Sequence, residues 1–533
     1  MRTYIKGFNL IKKKFKLSFN LLIILMLIGA ILEGVSIAFI LPFIDLLVNP
    51  DKIISNKYLN LSFFLKQELD YVYIIYVYSL IFFVVYFIKN IFLILINYTQ
   101  SKILLDINFY LSNLYFSKLL NQNFLNLIEE KSSTIIRTMI SQTTSFAMKF
   151  IHSATLLIAE LLTFIFILTF MFMVVGKEFY LVMIMLIFVL VIYYLFFKKK
   201  IYQLSRKTEF EEMNRLKNLT NGIDSINEIN IFNIKKFFIE SDFKINFKII
   251  KLALLISLIR TIPKGLIEVI LISFFLLFVI YSTKNNFDFV NFIPSIAVLA
   301  AALFKFVPTL NRVMLSIQKL EASKPVIENI YEKLNLYDEN KILNLEKNNS
   351  ILDFNKDICL KDISFSYSNL EKNIFENFNF DIKKNQKIGI YGDTGSGKST
   401  LVKMLMGVIL PSKGKITVDG LNINSNIQGL QKIISYIPQK IFLFESSLKN
   451  NIKLFQDENN DLKFDEIITK VFKNKKNFDD LSNEIKENHT KLSGGELKKI
   501  GIARALYKDH KILIIDEGTA GLDAEYSKYI ISE

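Results

Sequence analysis

Gly392-Asp393-Thr394-Gly395-Ser396-Gly397-Lys398-Ser399-Thr400 decides how the rest of this 533-residue chain is read. Just before it, Gln386-Lys387-Ile388-Gly389-Ile390-Tyr391 predicts a short buried strand. Just after it, Leu401-Val402-Lys403-Met404-Leu405-Met406 predicts an apolar helix start. A strand, a glycine loop and a helix, in that order, form the context of a phosphate cradle. The loop's backbone N–H groups and the helix N-terminus can face the phosphates of a nucleotide. Lys398 can reach the β- and γ-phosphates, and the Ser399 hydroxyl can ligate Mg²⁺. Of 19 glycines, 13 lie at or after Gly389. In a glycine-poor chain, that clustering marks where backbone must approach a ligand.

Toward the C-terminus, Lys511-Ile512-Leu513-Ile514-Ile515-Asp516-Glu517 predicts a buried strand ending in two carboxylates, 118 residues after Lys398. Asp516 suits the Mg²⁺ shell and Glu517 suits polarising an attacking water. Between these motifs, Leu492-Ser493-Gly494-Gly495-Glu496 opens a helix that continues through Ala503-Arg504-Ala505-Leu506. Ser493 with Glu496 three residues on is a capping box, which is its structural reading. The same geometry would offer N–H groups to a γ-phosphate, which is its functional one.

Toward the N-terminus the composition changes. The chain is 51% hydrophobic, and its long uncharged runs fall in residues 17–310, while residues 340–533 mix charges and glycines. A membrane-spanning helix needs about 20 mostly apolar residues. Six stretches qualify, near 17–44, 71–97, 150–175, 178–197, 252–281 and 288–311. Arg2, Lys6, Lys12, Lys13, Lys14 and Lys16 precede the first span with no acid, and Lys198, Lys199 and Lys200 follow the fourth. Positive charge stays inside, so the N-terminus, the two long connections and the C-terminal domain are expected in the cytoplasm. The long connections read as helices that leave the membrane and turn near Asn121–Asn126 and Thr220–Asn227, with tips that carry motion from the soluble domain.

The net charge of +15 suggests nucleic acid at first sight. The basic residues flank apolar spans, however, so no nucleic-acid partner is expected. The single Cys359 excludes an intrachain disulfide, and His152, His489 and His510 show no metal-ligand spacing. The first apolar run is too long for a cleavable signal peptide and lacks a small-residue cleavage site.

Some polar residues interrupt the spans: Glu33 in the first, Lys89 in the second, Arg260, Lys264 and Glu268 in the fifth, Lys305 and Arg312 around the sixth. A cation at the bilayer centre costs about 2.5–3.5 kcal/mol on insertion scales, so most of these should face an internal cavity or an interface. They read either as structural pairs, such as Lys264 with Glu268 or a cation with Glu33, or as a site for an anionic ligand. The excess of cations favours the second, with Lys89, Lys264, Lys305 and Arg312 as its substrate-contacting residues.

Together the loop at 392–400 and the Leu492–Glu496 motif resemble the ATP-binding-cassette family. The resemblance implies an exporter-type half-transporter. Its fold would be an all-α six-helix transmembrane domain (1–325), a linker (326–345) and an α/β P-loop cassette (346–533). It implies a homodimer, because in this family the signature helix of one subunit (here Ser493, Gly494 and Gly495) closes over ATP held by the loop of the other. Tyr367 matches the aromatic that stacks on adenine, and Gln439 the glutamine that links Mg²⁺ to the membrane helices. Phe442-Leu443-Phe444, Ser447 and Asn451-Ile452 resemble the exporter branch. Glu487 matches an acid that contacts the coupling loops, and Gly521-Leu522-Asp523 the subunit-contact loop.

There are two departures from the family pattern. The signature ends in Glu496 where Gln is commoner. The family's γ-phosphate-contacting histidine, beyond the catalytic carboxylate, has no counterpart before Glu533, and at least one further core strand is expected to be missing. The cassette therefore reads as incomplete at its C-terminal end. The sequence predicts that residues 1–533 bind ATP but hydrolyse it more slowly than a longer chain would.

Glu33 with Leu41-Pro42-Phe43, Tyr86–Lys89, Pro263-Lys264 with Glu268, and Lys305 with Pro308, Asn311 and Arg312 look like PglK-type flippases of bacterial protein N-glycosylation. That likeness implies an inner-membrane, multi-pass ATPase moving a lipid-linked pyrophosphate oligosaccharide. It also implies a short external helix within 46–70. A peptide, drug or lipid A exporter is the same machine with another cavity. A hydrolysis-impaired pseudo-transporter is a reading of a different class.

Overall fold

The computed structural model describes residues 2–48, 71–122, 132–175, 178–284, 289–339, 352–367, 373–455, 461–472 and 492–516. The expected external helix, Glu487, His489, Glu517 and Gly521-Leu522-Asp523 lie outside these residues. The chain divides into two compact units, one of Met1–Leu120 and Glu130–Glu339 and the other of Asn121–Glu129 and Asn340–Glu533.

Long helices make up the first unit. They are α1 (Arg2–Ala38), α2 (Ile40–Val48) and α3 (Tyr71–Leu120), then a helical run containing α4 (Ser132–Arg137), α5 (Thr143–Ser145) and α6 (His152–Val175). After these come α7 (Glu178–Asp224), the short α8 (Ile226–Ile231), α9 (Lys235–Lys284) and α10 (Phe289–Glu339). Apart from a turn at Phe39, the described residues of all six apolar stretches are helical. Among the described residues, three helical segments are long and apolar enough to cross a membrane: Arg2–Ile37, Val72–Leu120 and Ser132–Thr169.

The breaks in these helices have local causes. Pro42 has no N–H to give to the Ala38 carbonyl, and α1 ends at Ala38. Pro263 lies inside α9 and frees the Ile259 carbonyl in the same way. The Tyr193 hydroxyl on α7 donates to that carbonyl, and Gln318 on α10 donates to the Tyr193 oxygen at 3.3 Å. A proline is tolerated in an apolar bundle when a neighbouring helix satisfies the freed group, as here. Between α4 and α6, the backbone widens into π-helical turns at Thr138–Gln142 and Phe146–Ile151. Arg137 stands at the first of these turns and is buried against Glu209 and Glu212 of α7.

The second long connection turns slightly later than its sequence suggests. α7 continues through Asp224, α8 follows, and the chain reverses at Phe232–Ile234 with Asn233 at φ 54°. Residues 326–339, read above as linker, continue α10 without a break.

The second unit contains a four-stranded antiparallel sheet, ordered β2-β1-β3-β4, from β1 (Asp357–Phe365), β2 (Phe375–Lys383), β3 (Lys413–Val418) and β4 (Leu421–Asn422). α11 (Lys398–Leu405) and α12 (Ile427–Ile433) accompany it, and Leu360, Ile363, Met404, Leu430 and Ile433 share one core with it. A parallel pair, β5 (Ile434–Ile437) and β6 (Ile512–Ile515), joins Ile434 to Ile512 and Ile437 to Ile515. A second core forms where α13 (Leu448–Lys453), α14 (Asp461–Phe472) and α15 (Gly494–Tyr507) meet, through Leu448, Ile452, Ile468, Ile500 and Ala503.

The strand expected at 386–391 does not form. These residues make no ladder, Ile390 is 41% exposed and Tyr391 96% exposed. A strand needs a neighbour to take its N–H and C=O groups. No described strand lies beside this segment, and the outward side chains of β6, Leu513 and Ile515, are likewise 41% and 42% exposed.

Candidate functional site

The loop 392–397 is shaped by three glycines at positive φ: Gly392 (155°), Gly395 (88°) and Gly397 (95°). Side chains rarely adopt these angles, so the sequence pattern and the backbone require each other. Gly397 caps α11, so the free N–H groups of the first turn face the loop. Lys398 folds its ammonium over the loop and donates to the Gly392 and Asp393 carbonyls at 2.7 and 2.8 Å. Asp393, Thr394, Ser396 and Ser399 are exposed around it, whereas Thr400 is buried. A Cβ built on Gly395 would meet nothing within 4 Å, so this side of the loop is open space lined by backbone.

Tyr367 adjoins this loop. Its hydroxyl lies 3.3 Å from Thr400 Oγ1, and its ring meets Phe365 edge-on at 5.1 Å. At the end of β6, the Asp516 N–H donates to the Ile437 carbonyl at 2.9 Å, which fixes its backbone beside β5. Its carboxylate accepts from the Tyr436 hydroxyl at 3.2 Å. Burial, then the Asp516 charge, pushes the Tyr436 phenol up to about 12. Gln439 follows β5 in an exposed bend.

Ser493, Gly494 and Gly495 form the start of α15. The Ser493 side chain accepts from the Glu496 N–H, while Glu496 accepts from the Ser493 N–H at 2.7 Å and its hydroxyl at 2.8 Å. The capping box is therefore closed by Glu496 itself. Arg504 ties the far end of α15 to α13 and to the loop before it. It donates to the Asn451 carbonyl at 2.7 Å, to Asn451 Oδ1 at 2.9 Å and to the Phe442 carbonyl at 2.7 Å. Burial lowers the Arg504 pKa. Asn451 in turn accepts from the Phe444 N–H at 2.8 Å. The clamp was not legible in the sequence, because its acceptors are main-chain atoms set by tertiary packing.

The residues present fit a nucleotide with Mg²⁺. The open loop, its glycines and Lys398 suit phosphates, Tyr367 beside Thr400 suits a base, and Ser399 and Asp516 supply oxygen donors of the kind Mg²⁺ takes.

In the first unit, the charged residues of the apolar helices are partly gathered. Lys305 pairs with Glu33, and Arg312 pairs with Glu160. Lys89 is 6% exposed, lies 4.4 Å from the Tyr86 ring centre and sits within the field of both Lys305 and Glu33. Lys89 makes no ion pair among the described residues. Three cations thus share one neighbourhood with two acids. Lys264 is not with them: it is 58% exposed and pairs with Glu268 one turn along α9, at 3.8 Å. Glu160 was missed at the sequence level, although an acid inside an apolar span is itself the signal.

Residues 375–520 match the family model described as ABC transporter. The β-(1→2)glucan export ATP-binding/permease protein NdvA of Bartonella bacilliformis is 35% identical over 170 residues, 31% of this chain and 28% of that protein. The ATP-dependent lipid A-core flippase of Vibrio parahaemolyticus is 33% identical over 180 residues, 33% of this chain and 31% of that protein. The matched stretch therefore spans less than a third of these curated relatives. A bacterial Atm1-family ABC exporter solved with ATP bound superimposes with a TM-score of 0.77 at 15% identity, covering 98% of this chain and 88% of that one. The chain has the fold of an ABC exporter, a mostly helical membrane unit joined to an ATP-binding cassette whose sequence matches the ABC transporter family over residues 375–520.

Proposed function

We propose that the chain is one half of a homodimeric ATP-driven exporter that moves an anionic lipid, of the lipid-linked pyrophosphate oligosaccharide class, from the cytoplasmic face of a bacterial inner membrane outward. The cluster of buried Lys89 with the half-buried Lys305 and Arg312, set against the buried Glu33 and Glu160, carries the substrate reading. An apolar bundle retains an excess cation at a cost, and an anionic headgroup would offset it. Lys264 stands apart from this cluster and is left out of the proposed site. Export of a neutral or cationic peptide or drug would give no reason for the excess positive charge.

ATP supplies the phosphoryl group when bound. The loop N–H groups and Lys398 hold and neutralise the phosphates, Ser399, Gln439 and Asp516 hold Mg²⁺, and Tyr367 holds the base. Glu517 orients the attacking water. Ser493, Gly494 and Gly495 of the second copy close the site over the γ-phosphate.

The test is a translocation assay in proteoliposomes, with the copurified lipid identified by mass spectrometry. Lys89→Ala should cut translocation of a pyrophosphate-linked lipid at least about tenfold, because one desolvated cation contact is worth about 1.5–3 kcal/mol. Nucleotide binding should not change, and Lys264→Ala should be much milder. A neutral copurified substrate, or equal effects of the two substitutions, would remove the anionic reading.

A further inference from the structure

A second basic feature lies outside that cluster. Between α7 and α9 runs an open cleft of about 940 Å³. Lys199, Arg206, Lys207, Lys248 and Lys251 line it, with Glu211 the only acid among the described residues of its lining. Glu211 faces Lys248 at 3.8 Å, which leaves four cations unmatched within the cleft. Nearby acids are turned elsewhere. Glu209 and Glu212 face Arg137, and Glu328 accepts from Tyr202 at 3.1 Å and from Thr3 at 3.3 Å.

The cleft also sits at a boundary in both helices. The apolar part of α7 ends at Phe197 and gives way to Lys198, Lys199 and Lys200. The apolar part of α9 begins at Leu252, directly after Lys251. Leu252 and Leu255 form the cleft's apolar wall. Beyond them, Leu254 and Leu258 of α9 and Leu195 and Phe196 of α7 are 54–77% exposed. A cationic pocket between helices, at the level where apolar helix meets water, has the chemistry that retains anionic headgroups on the cytoplasmic leaflet.

We propose that this cleft holds the phosphate headgroup of an anionic membrane amphiphile, with its hydrocarbon chains lying along the apolar segments of α7 and α9. The inference rests on the membrane-spanning reading of the chain but not on transport or ATP hydrolysis. Charge complementarity selects the occupant. The unmatched cations call for an anionic headgroup, and the adjoining exposed leucines call for hydrocarbon, so a free phosphate would use only half of the surface.

Native mass spectrometry of the full chain, without nucleotide, tests it with phosphatidylglycerol and phosphatidylcholine as probes. The wild-type chain should retain phosphatidylglycerol with about tenfold or greater preference, and the combined variant Arg206→Gln/Lys207→Gln/Lys248→Gln/Lys251→Gln should lose that preference. Lys235→Gln/Lys236→Gln, at the start of α9 and outside the cleft, should keep it. Should the combined variant fail to fold, Leu255→Trp keeps every charge, fills the apolar wall, and should lower retention of phosphatidylglycerol. An unchanged preference in the combined variant, or unchanged retention of phosphatidylglycerol in the Leu255→Trp variant, overturns the proposal. Inorganic pyrophosphate that displaces the lipid at equal concentration also overturns it, by showing that the hydrocarbon contributes nothing. A fluorophore at Gln203→Cys that is shielded by dimerisation whatever the lipid assigns the cleft to a second copy and overturns it too. The readout uses ordinary phospholipids and no ATP, so a failure of the transport reading leaves it untouched.

Discussion

Adding one methyl group at Gly397 and one at Gly395 separates two roles of the nucleotide loop. Both glycines sit at positive φ, 95° and 88°, so alanine at either position costs about 1–2 kcal/mol of backbone strain. Their surroundings differ. A Cβ on Gly397 would stand 2.7 Å from Ile374 Cγ2 and 3.0 Å from Phe375 Cζ, whereas one on Gly395 meets nothing within 4 Å. Neither neighbour retreats easily, because the Ile374 N–H is bonded to the Phe365 carbonyl at 2.8 Å and Phe375 pairs with Phe365 in the ladder. Overpacking of this kind adds about 1–3 kcal/mol. Gly397→Ala should therefore destabilise the cassette by about 2–5 kcal/mol, and Gly395→Ala by about 1–2 kcal/mol. Thermal melting of the full chain without nucleotide reads this difference. Titration with Mg·ATP reads the second role: Gly395→Ala should lose much of its ATP affinity although it is the less destabilised of the two, because its methyl enters the open space beside the loop. Equal melting temperatures for the two variants, or a Gly395→Ala chain with wild-type affinity, would refute the reasoning.

Glu33→Gln should leave Lys305 unpaired beside Lys89 and lower stability by about 1–3 kcal/mol, with Glu33→Gln/Lys305→Met recovering most of the loss in a double-mutant cycle. Ser493→Ala should remove the α15 cap at a cost of about 1 kcal/mol, whereas Glu496→Gln, which keeps the capping box, should change melting little. The Tyr436 phenol, raised from its ordinary 10 to about 12, keeps its proton in the fold after the unfolded chain has lost it. Its contribution is complete below pH 10 and is lost as the pH rises from 10 to 12. Tyr436→Phe should flatten that part of the stability profile relative to wild type, and an identical profile would remove the assignment.

What the sequence showed and what it hid follow one physical division. The 392–400 loop and the Ser493–Glu496 cap were legible because their geometry depends on residues within a few positions: glycine angles, a helix start, a reciprocal cap. The six apolar stretches were legible because helices satisfy their own backbone. Residues 386–391 misled because a strand exists only beside a partner, and an apolar pattern does not contain one. Helical spacing placed Lys264 and Glu268 on one face, as found, but not which way that face points. Lys89 and Lys264 look equivalent in sequence, yet packing buries the first and leaves the second 58% exposed. The Tyr193 hydroxyl that covers the carbonyl freed by Pro263 belongs to another helix, far along the chain, and no local rule would pair them.

The central claim is that the 392–400 loop binds ATP through its backbone and Lys398. Its most direct measurement is the affinity of the full chain for Mg·ATP, before and after Lys398→Ala. Two charge-assisted contacts to phosphate are worth about 3–6 kcal/mol together. The account predicts saturable binding by the wild-type chain and a loss of at least about a hundredfold in the variant, with the melting temperature of the nucleotide-free protein nearly unchanged. Equal affinity in the two proteins, or no ATP binding by a folded wild-type chain, would contradict it.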